Sequence, residues 1–279
     1  MRWRLKLLVA MMGLALPGGG TSAANLPRLV SMNVCTDQLV LTLADPEQIL
    51  GLSRFSRDGW QSKAGDLSRY PVLSGGAEDV LLIRPDIVVA SAFDKRSTRE
   101  LLKAKGLRLA ELTVPRTLDE ARQQIGEVGD IIGHPDRATA EIARLDAALA
   151  RARGAVAERH YRVLPLSRRG WVAGSDSFVG SLLGEIGLRS AAGDLGFSFG
   201  GFASLEAIVK LRPDFIVVSR AGDYARDDGQ AFLLHPALER FYPPEKRIVI
   251  PERLTECGGV LLADALDALT EELKRVGRQ

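Results

Sequence analysis

Short apolar runs rich in Val, Ile and Leu alternate with amphipathic stretches along this chain, and one such pairing occurs twice. Residues 77–91 read AEDVLLIRPDIVVAS and residues 205–219 read LEAIVKLRPDFIVVS. At a constant spacing of 128 residues (Glu78 to Glu206), Glu78, Arg84, Pro85, Asp86, Val89 and Ser91 match Glu206, Arg212, Pro213, Asp214, Val217 and Ser219. Each copy predicts a short helix stopped by Pro, a turn favoured by Asp, and a buried strand. A unit that recurs in register in both halves points to two similar α/β lobes with a cleft between them.

The same patterning places the other elements. Leu29–Ser31 predicts a first strand, Met32–Asp37 a loop, Gln38–Ala44 a helix and Ile49–Leu52 a second strand, before a long polar loop over Ser53–Gly76. After the first repeat come a helix over Ser97–Lys105 and a strand over Leu109–Val114. Thr117 and Glu120 form a capping box, the Thr hydroxyl accepting from the first turn while Glu reaches back. The helix they open ends at Gly133. From Pro135 onward, Ala138, Ile142, Leu145, Leu149, Ala152 and Val156 step by fours and threes, one apolar stripe on a helix of about 23 residues and about 35 Å. The second half predicts strands over Tyr161–Leu166 and Trp171–Ala173, a helix over Ser177–Ile186, and then the second repeat. A polar loop over Arg220–Gly229, a helix over Ala231–Phe241, a strand over Arg247–Ile250 and a last helix over Val260–Val276 complete it. This alternation argues for mainly parallel sheets flanked by helices. No Gly-, Ser- or Pro-rich linker separates the halves, so the long helix joins the lobes rigidly. The expected units are residues 25–134, 135–159 and 160–279.

Residues 1–24 carry a different signature. Arg2, Arg4 and Lys6 precede the apolar run Leu7–Leu16, which Pro17 and three glycines break before the small residues of Thr21–Ala24. A bilayer span takes roughly 20 apolar residues, so the run reads as a cleaved export signal and the protein as soluble and periplasmic. The signal holds three basic residues and no acidic one, so its removal turns the formal net charge from +2 to −1. That balance argues against a nucleic-acid partner, which calls for a basic patch.

Two cysteines, Cys35 and Cys257, lie near opposite ends of the chain. In an oxidising compartment one disulfide between the lobes and two separate thiols are both compatible with that placement. Catalytic chemistry finds no footing: there is no phosphate-binding glycine loop and no nucleophile elbow. His134, His160 and His235 are scattered, and His134 and His235 stand beside prolines as surface or capping groups. Neither a metal site nor a cofactor is expected from so poor a supply of ligands.

Several pieces, taken in order, resemble one family. They are Leu26–Ser31, Glu78 with Arg84-Pro85-Asp86, Gly126–Gly133, Val172–Gly174 with Phe178, Glu206 with Arg212-Pro213-Asp214, and His235–Leu238. Together they resemble the periplasmic solute-binding proteins that serve ABC importers of cobalamin, ferric siderophores and haem. The resemblance covers nearly all the chain after residue 24. It implies two α/β lobes on one rigid helix, and a monomeric receptor, not an enzyme, that works with ABC permease subunits. It also implies that Glu78 and Glu206, one per lobe, dock onto permease arginines through charge-assisted bonds.

The ligand of such a receptor sits outside the carboxyl ends of the strands. That selects Arg54, Phe55, Arg57, Trp60, Phe93 and Arg96 on one wall. Phe178, Phe199, Phe202, Arg220, Tyr224, Arg226 and Arg253 form the other. Flat aromatics suit a large chelate, and arginines suit its carboxylates, phosphates or catecholates. The arginines favour an anionic ferric siderophore over a corrinoid. Haem, which commonly takes an axial His or Tyr, ranks third, with Tyr224 as the available ligand. A tetrapyrrole chelatase of similar build is the enzymatic alternative, and it lacks a cleft His or Glu to act as base.

Overall fold

The computed structural model describes residues 26–57, 67–157, 159–219 and 228–277. The expected export signal, Trp60, Arg220, Tyr224 and Arg226 lie outside them. The first lobe interleaves strands β1 (Leu29–Ser31), β2 (Ile49–Ser53), β3 (Val72–Leu73), β4 (Ile87–Ser91) and β5 (Leu109–Leu112) with helices α1 (Val34–Leu43), α2 (Ala77–Ile83) and α3 (Arg96–Ala104). Its sheet is parallel throughout, in the order β3-β2-β1-β4-β5. Helices α4 (Leu118–Ile132) and α5 (Pro135–Val156) follow. The second lobe contains β6 (Arg162–Leu166), β7 (Trp171–Ala173), α6 (Phe178–Glu185), β8 (Arg189–Ser190), β9 (Gly200–Phe202) and α7 (Leu205–Leu211). It closes with β10 (Phe215–Val218), α8 (Asp228–Ala231), α9 (Pro236–Phe241), β11 (Arg247–Val249) and α10 (Leu262–Val276). Its order is β11-β10-β6-β7-β9, with β8 also on β6; β7 pairs antiparallel with both β6 and β9, and the other pairings are parallel. β4 lies between β1 and β5 as β10 lies between β6 and β11, so the lobes share one topology around the repeat.

The Arg-Pro-Asp motif makes the same joint in each lobe. Arg84 and Arg212 end α2 and α7 in the left-handed region, with φ of 54° and 49°. The proline that follows cannot continue the helix. Asp86 then accepts the backbone N–H of Arg28 at 2.8 Å, and Asp214 that of Arg162 at 2.7 Å. In return the N–H groups of Asp86 and Asp214 donate to the Arg28 and Arg162 carbonyls, both at 2.8 Å. The guanidinium groups of Arg28 and Arg162 reach the Arg84 and Arg212 carbonyls. Each motif thereby sets the start of one strand against its parallel neighbour, β4 on β1 and β10 on β6.

Helix α5 joins the lobes by packing on both. One buried apolar cluster contains Leu39, Val40 and Val89 of the first lobe, Leu145, Leu149 and Ala152 of α5, and Val163, Ile248 and Leu269 of the second. Gly129 of α4 lets α5 approach closely: a Cβ there would lie 2.4 Å from the Ala138 Cβ. Polar groups anchor the same helix. Arg122 of α4 donates to Asp146 at 2.6 and 2.8 Å, Arg151 is bidentate to Asp267 of α10, and Arg144 donates to the Val260 carbonyl at 2.8 Å. A second tie is covalent, because Cys35 of α1 is bonded to Cys257 ahead of α10, across a sequence separation of 222 residues.

Several local expectations change. α1 begins at Val34 because Asn33 takes the N-cap, its Oδ1 accepting from Cys35 N–H at 3.0 Å and Thr36 N–H at 3.1 Å. Cys35 and Asp37 are therefore helical, not part of a loop. Glu120 reaches past the Thr117 cap and accepts from the Arg116 N–H. The expected helix over 231–241 breaks at His235, whose Nδ1 accepts from Ala237 N–H and caps α9. His134 is no surface group: it is buried, with its Nε2 2.7 Å from Gln48 Oε1. The short strands β3, β8 and β9 escaped detection because two or three residues, some of them glycine, show no period.

Two outcomes follow for stability. Gly129→Val forces α4 away from α5 and lowers the unfolding free energy by about 1–3 kcal/mol in urea denaturation; an unchanged midpoint contradicts this close contact. Replacing Cys35 and Cys257 by serine lowers stability by about 2–5 kcal/mol, because the bridge closes so long a loop of the unfolded chain.

Candidate functional site

In the first sheet β1 leads to β2 on one side while β4 and β5 lie on the other, so the order reverses between the carboxyl ends of β1 and β4. Open α/β sheets hold ligands at such points. A polar clasp occupies this one. Asn33 Nδ2 donates to Ser91 Oγ at 2.9 Å and to Asp94 Oδ2 at 2.8 Å, and Asp94 Oδ2 also accepts the Ser91 N–H at 2.7 Å. Beside the clasp, the Phe93 side chain is 79% exposed, and Arg96 stands exposed at the start of α3.

On the other flank of β1 lies Asp37, 1% exposed. Its Oδ1 accepts the Ser53 N–H at 3.0 Å and its Oδ2 the Ser53 hydroxyl at 2.6 Å. Burial pushes its carboxyl up to about 6; hydrogen bonds from Ser53 and Ser31 oppose that rise and the nearby Asp94 charge adds to it. Ser53 ends β2, and Arg54 and Phe55 follow at once, the Arg54 guanidinium 4.8 Å from the centre of the Phe55 ring. Arg57 instead donates to the Tyr70 carbonyl at 3.2 Å and braces its own loop.

The first turn of α1 also meets the second lobe. Gln38 Nε2 donates to the Arg253 carbonyl at 3.4 Å, and the Cys35–Cys257 bridge lies one turn before it. Phe178 packs on Gly258, its ring atoms 3.6–3.9 Å from where a Cβ would stand. The structure thus gathers Phe178, Arg253, Cys257 and Cys35 around this turn. Phe199 and Phe202 belong to a different surface, the edge ribbon of β7 and β9, where they are 73% and 66% exposed. Phe202 meets Trp171 edge-on at 5.1 Å, and a Cβ on Gly200 would strike the Trp171 ring. Trp171 was legible only as an aromatic at a strand end. Asn33, Asp37, Ser53, Ser91 and Asp94 were missed, because nothing in the spacing of 33–37, 53 and 91–94 shows that they converge.

Three residues after β3, α2 begins, and two residues after β9, α7 begins. Glu78 and Glu206 therefore stand at the strand-carboxyl edge, both exposed. The Glu206 carboxyl is held below its ordinary value by its own backbone N–H and the Ser204 hydroxyl. Among the described residues no three His, Cys, Asp or Glu side chains cluster to hold a metal ion.

Comparison with known proteins identifies a family. The family model described as periplasmic binding protein matches residues 29–243. Comparison with curated proteins returns no match. Among solved structures, the apo periplasmic heme-binding protein RhuT from Roseiflexus sp. RS-1 is similar at a TM-score of 0.70 and 23% identity, covering 89% of this chain and 98% of that one. A periplasmic heme-binding protein from Pseudomonas aeruginosa is similar at 0.68 and 25%, covering 88% and 92%. The periplasmic vitamin B12 binding protein BtuF of Vibrio cholerae is similar at 0.64 and 16%, covering 90% and 98%.

Asp37 gives this site a pH signature. Its ordinary value is 3.8 and the folded value about 6. Between those values the folded protein holds a proton that the unfolded chain has released, so stability falls as pH rises through the window and levels off above it. The full span is about 3 kcal/mol at most. Asp37→Asn removes this slope in chemical denaturation run from pH 4 to pH 7; a slope that persists in the variant belongs to another group.

Proposed function

Because the chain belongs to the periplasmic binding protein family, we propose that it is the periplasmic substrate-binding component of an ABC importer. It captures a metal chelate between its lobes and delivers it to the permease. The observation that carries this reading is the pair of exposed aromatic rings just past strand-carboxyl ends of the first lobe, Phe55 after β2 and Phe93 after β4. Apolar ring surface left in water gains little for folding, whereas a flat chelate would bury it. Among the described residues no helix is long and apolar enough to cross a membrane, which agrees with a receptor that meets its permease at the membrane surface.

The cargo class follows from the same surfaces. Arg54, Arg96 and Arg253 favour an anionic chelate. A ferric siderophore meets that description, and so does haem through its two propionates. The likeness to heme-binding proteins supports haem as the second reading, and the likeness to a vitamin B12 binding protein keeps a corrinoid in the panel. Glu78 and Glu206 then act as one docking carboxylate per lobe, each exposed at the strand-carboxyl edge, and each able to make charge-assisted bonds with permease arginines.

Titration of intrinsic tryptophan fluorescence with hemin, cyanocobalamin and several ferric siderophores tests the cargo. One class quenches saturably at submicromolar concentration; silence across the panel removes the chelate reading. Glu78→Ala with Glu206→Ala abolishes uptake by the reconstituted importer while leaving binding unchanged, and uptake that survives both substitutions removes the docking role.

A further inference from the structure

Two phenylalanine turns of the first lobe are built alike and held by one helix. Ser53 ends β2, and its Oγ accepts the N–H of Phe55 at 3.2 Å; Ser91 ends β4, and its Oγ accepts the N–H of Phe93 at 3.2 Å. β2 and β4 flank β1, so the two Ser-x-Phe turns stand on either side of the strand from which α1 departs. Helix α1 grips both through residues one turn apart. Asp37 accepts hydrogen bonds from the Ser53 hydroxyl at 2.6 Å and from the Ser53 N–H at 3.0 Å. Asn33 Nδ2 donates to Ser91 Oγ at 2.9 Å. A serine hydroxyl has one proton and two lone pairs. The Ser53 hydroxyl donates to Asp37 while a lone pair receives Phe55, and the lone pairs of Ser91 receive both Asn33 and Phe93. Each turn is therefore aimed by an α1 side chain acting through a serine.

We propose that Asp37 and Asn33 are positioning residues that hold Phe55 and Phe93 as a matched pair of aromatic contacts for one cargo chelate. This rests on the reading of the first lobe as a cargo wall. Neither positioning residue touches the cargo; each removes freedom from a ring that the cargo would otherwise have to order, which is where preorganisation gains affinity. The arrangement also explains why a carboxyl is buried at Asp37. A neutral side chain there could not accept both the N–H and the hydroxyl of Ser53 on two equivalent oxygens. The groups facing Asp37 are Ser53 from β2, Ser31 from β1 and Asp94 from the turn after β4, and of these only Asp94 is charged. Protonation of Asp37 near pH 6 makes one oxygen a donor and slackens the Ser53 turn, and leaves the Asn33–Ser91 bond in place.

The test uses the full chain with Trp3, Trp60 and Trp171 replaced by Phe and one reporter at a time, Phe55→Trp or Phe93→Trp. Asp37→Asn raises acrylamide quenching of the reporter at 55 about twofold and leaves the reporter at 93 unchanged. Asn33→Ser, which keeps a capping oxygen for α1 but loses the amide donor, does the reverse. The reporter at 55 titrates near pH 6, that titration is absent in the Asp37→Asn background, and the reporter at 93 shows none. With the natural aromatics in place, each α1 variant weakens whichever of hemin, cyanocobalamin or a ferric tris-catecholate binds by at least threefold. Reporters that move together show general loosening and overturn the proposal, as do split reporters with unaltered affinity. Split reporters on a protein that binds none of the three probes overturn the cargo reading beneath it, and the paired turns are then structural only.

Discussion

Helix α5 has a single apolar stripe and must satisfy two lobes with it. A helix buries one face, so Leu145, Leu149, Ala152 and Val156 can serve both lobes only if α4 and α10 converge on that face from either side. The buried cluster that results runs without interruption from the first sheet to the second. Relative motion of the lobes would have to shear this core or strain the Cys35–Cys257 bridge that stands off to one side of it. The polar face of α5 repeats the arrangement, with Asp146 turned to α4 and Arg144 and Arg151 to the α10 side. Everything at the strand-carboxyl edges is held in place by this shared helix.

The internal repeat has one physical cause and two consequences. Asp86 and Asp214 fix where β4 and β10 begin against their neighbours, by the same paired backbone bonds at the amino-terminal edge of each sheet. The helix that precedes each motif runs back along its sheet, which carries Glu78 and Glu206 to the opposite edge. A motif conserving strand register in both lobes thus also delivers one carboxylate per lobe to the same side of the molecule. Beyond these positions the copies diverge, and the second lobe adds the antiparallel ribbon of β7 and β9 with its exposed aromatic pair.

Stability and presentation pull against each other in the first lobe. Burying Asp37 raises its carboxyl toward neutrality, a cost that apolar packing at that position would avoid. The carboxyl is kept where β1, β2 and α1 meet, directly beneath residues that face solvent. Polar groups hydrogen-bonded to one another under an exposed aromatic surface, as Asp37 is to Ser53 and Asn33 to Ser91, are what a wall needs when it must stay rigid before anything binds to it.

Period, punctuation and composition determined most of the frame. The doubled helix–Arg-Pro-Asp–strand unit, the stripe from Ala138 to Val156 and the strand–helix alternation are local patterns of apolar spacing, and each survives in the structure because burial enforces that spacing. The two-lobed α/β class followed from them, as did the exposed glutamates near two helix starts. Convergence was invisible. That Ser53 and Ser91 hang from the same helix, that His134 is buried against Gln48, and that Phe178 packs beside Cys257 are contacts between residues 16 to 86 positions apart. No periodicity encodes such contacts, because hydrogen bonds and ring packing depend on where the sheets place their strand ends, and only the folded chain brings those ends together.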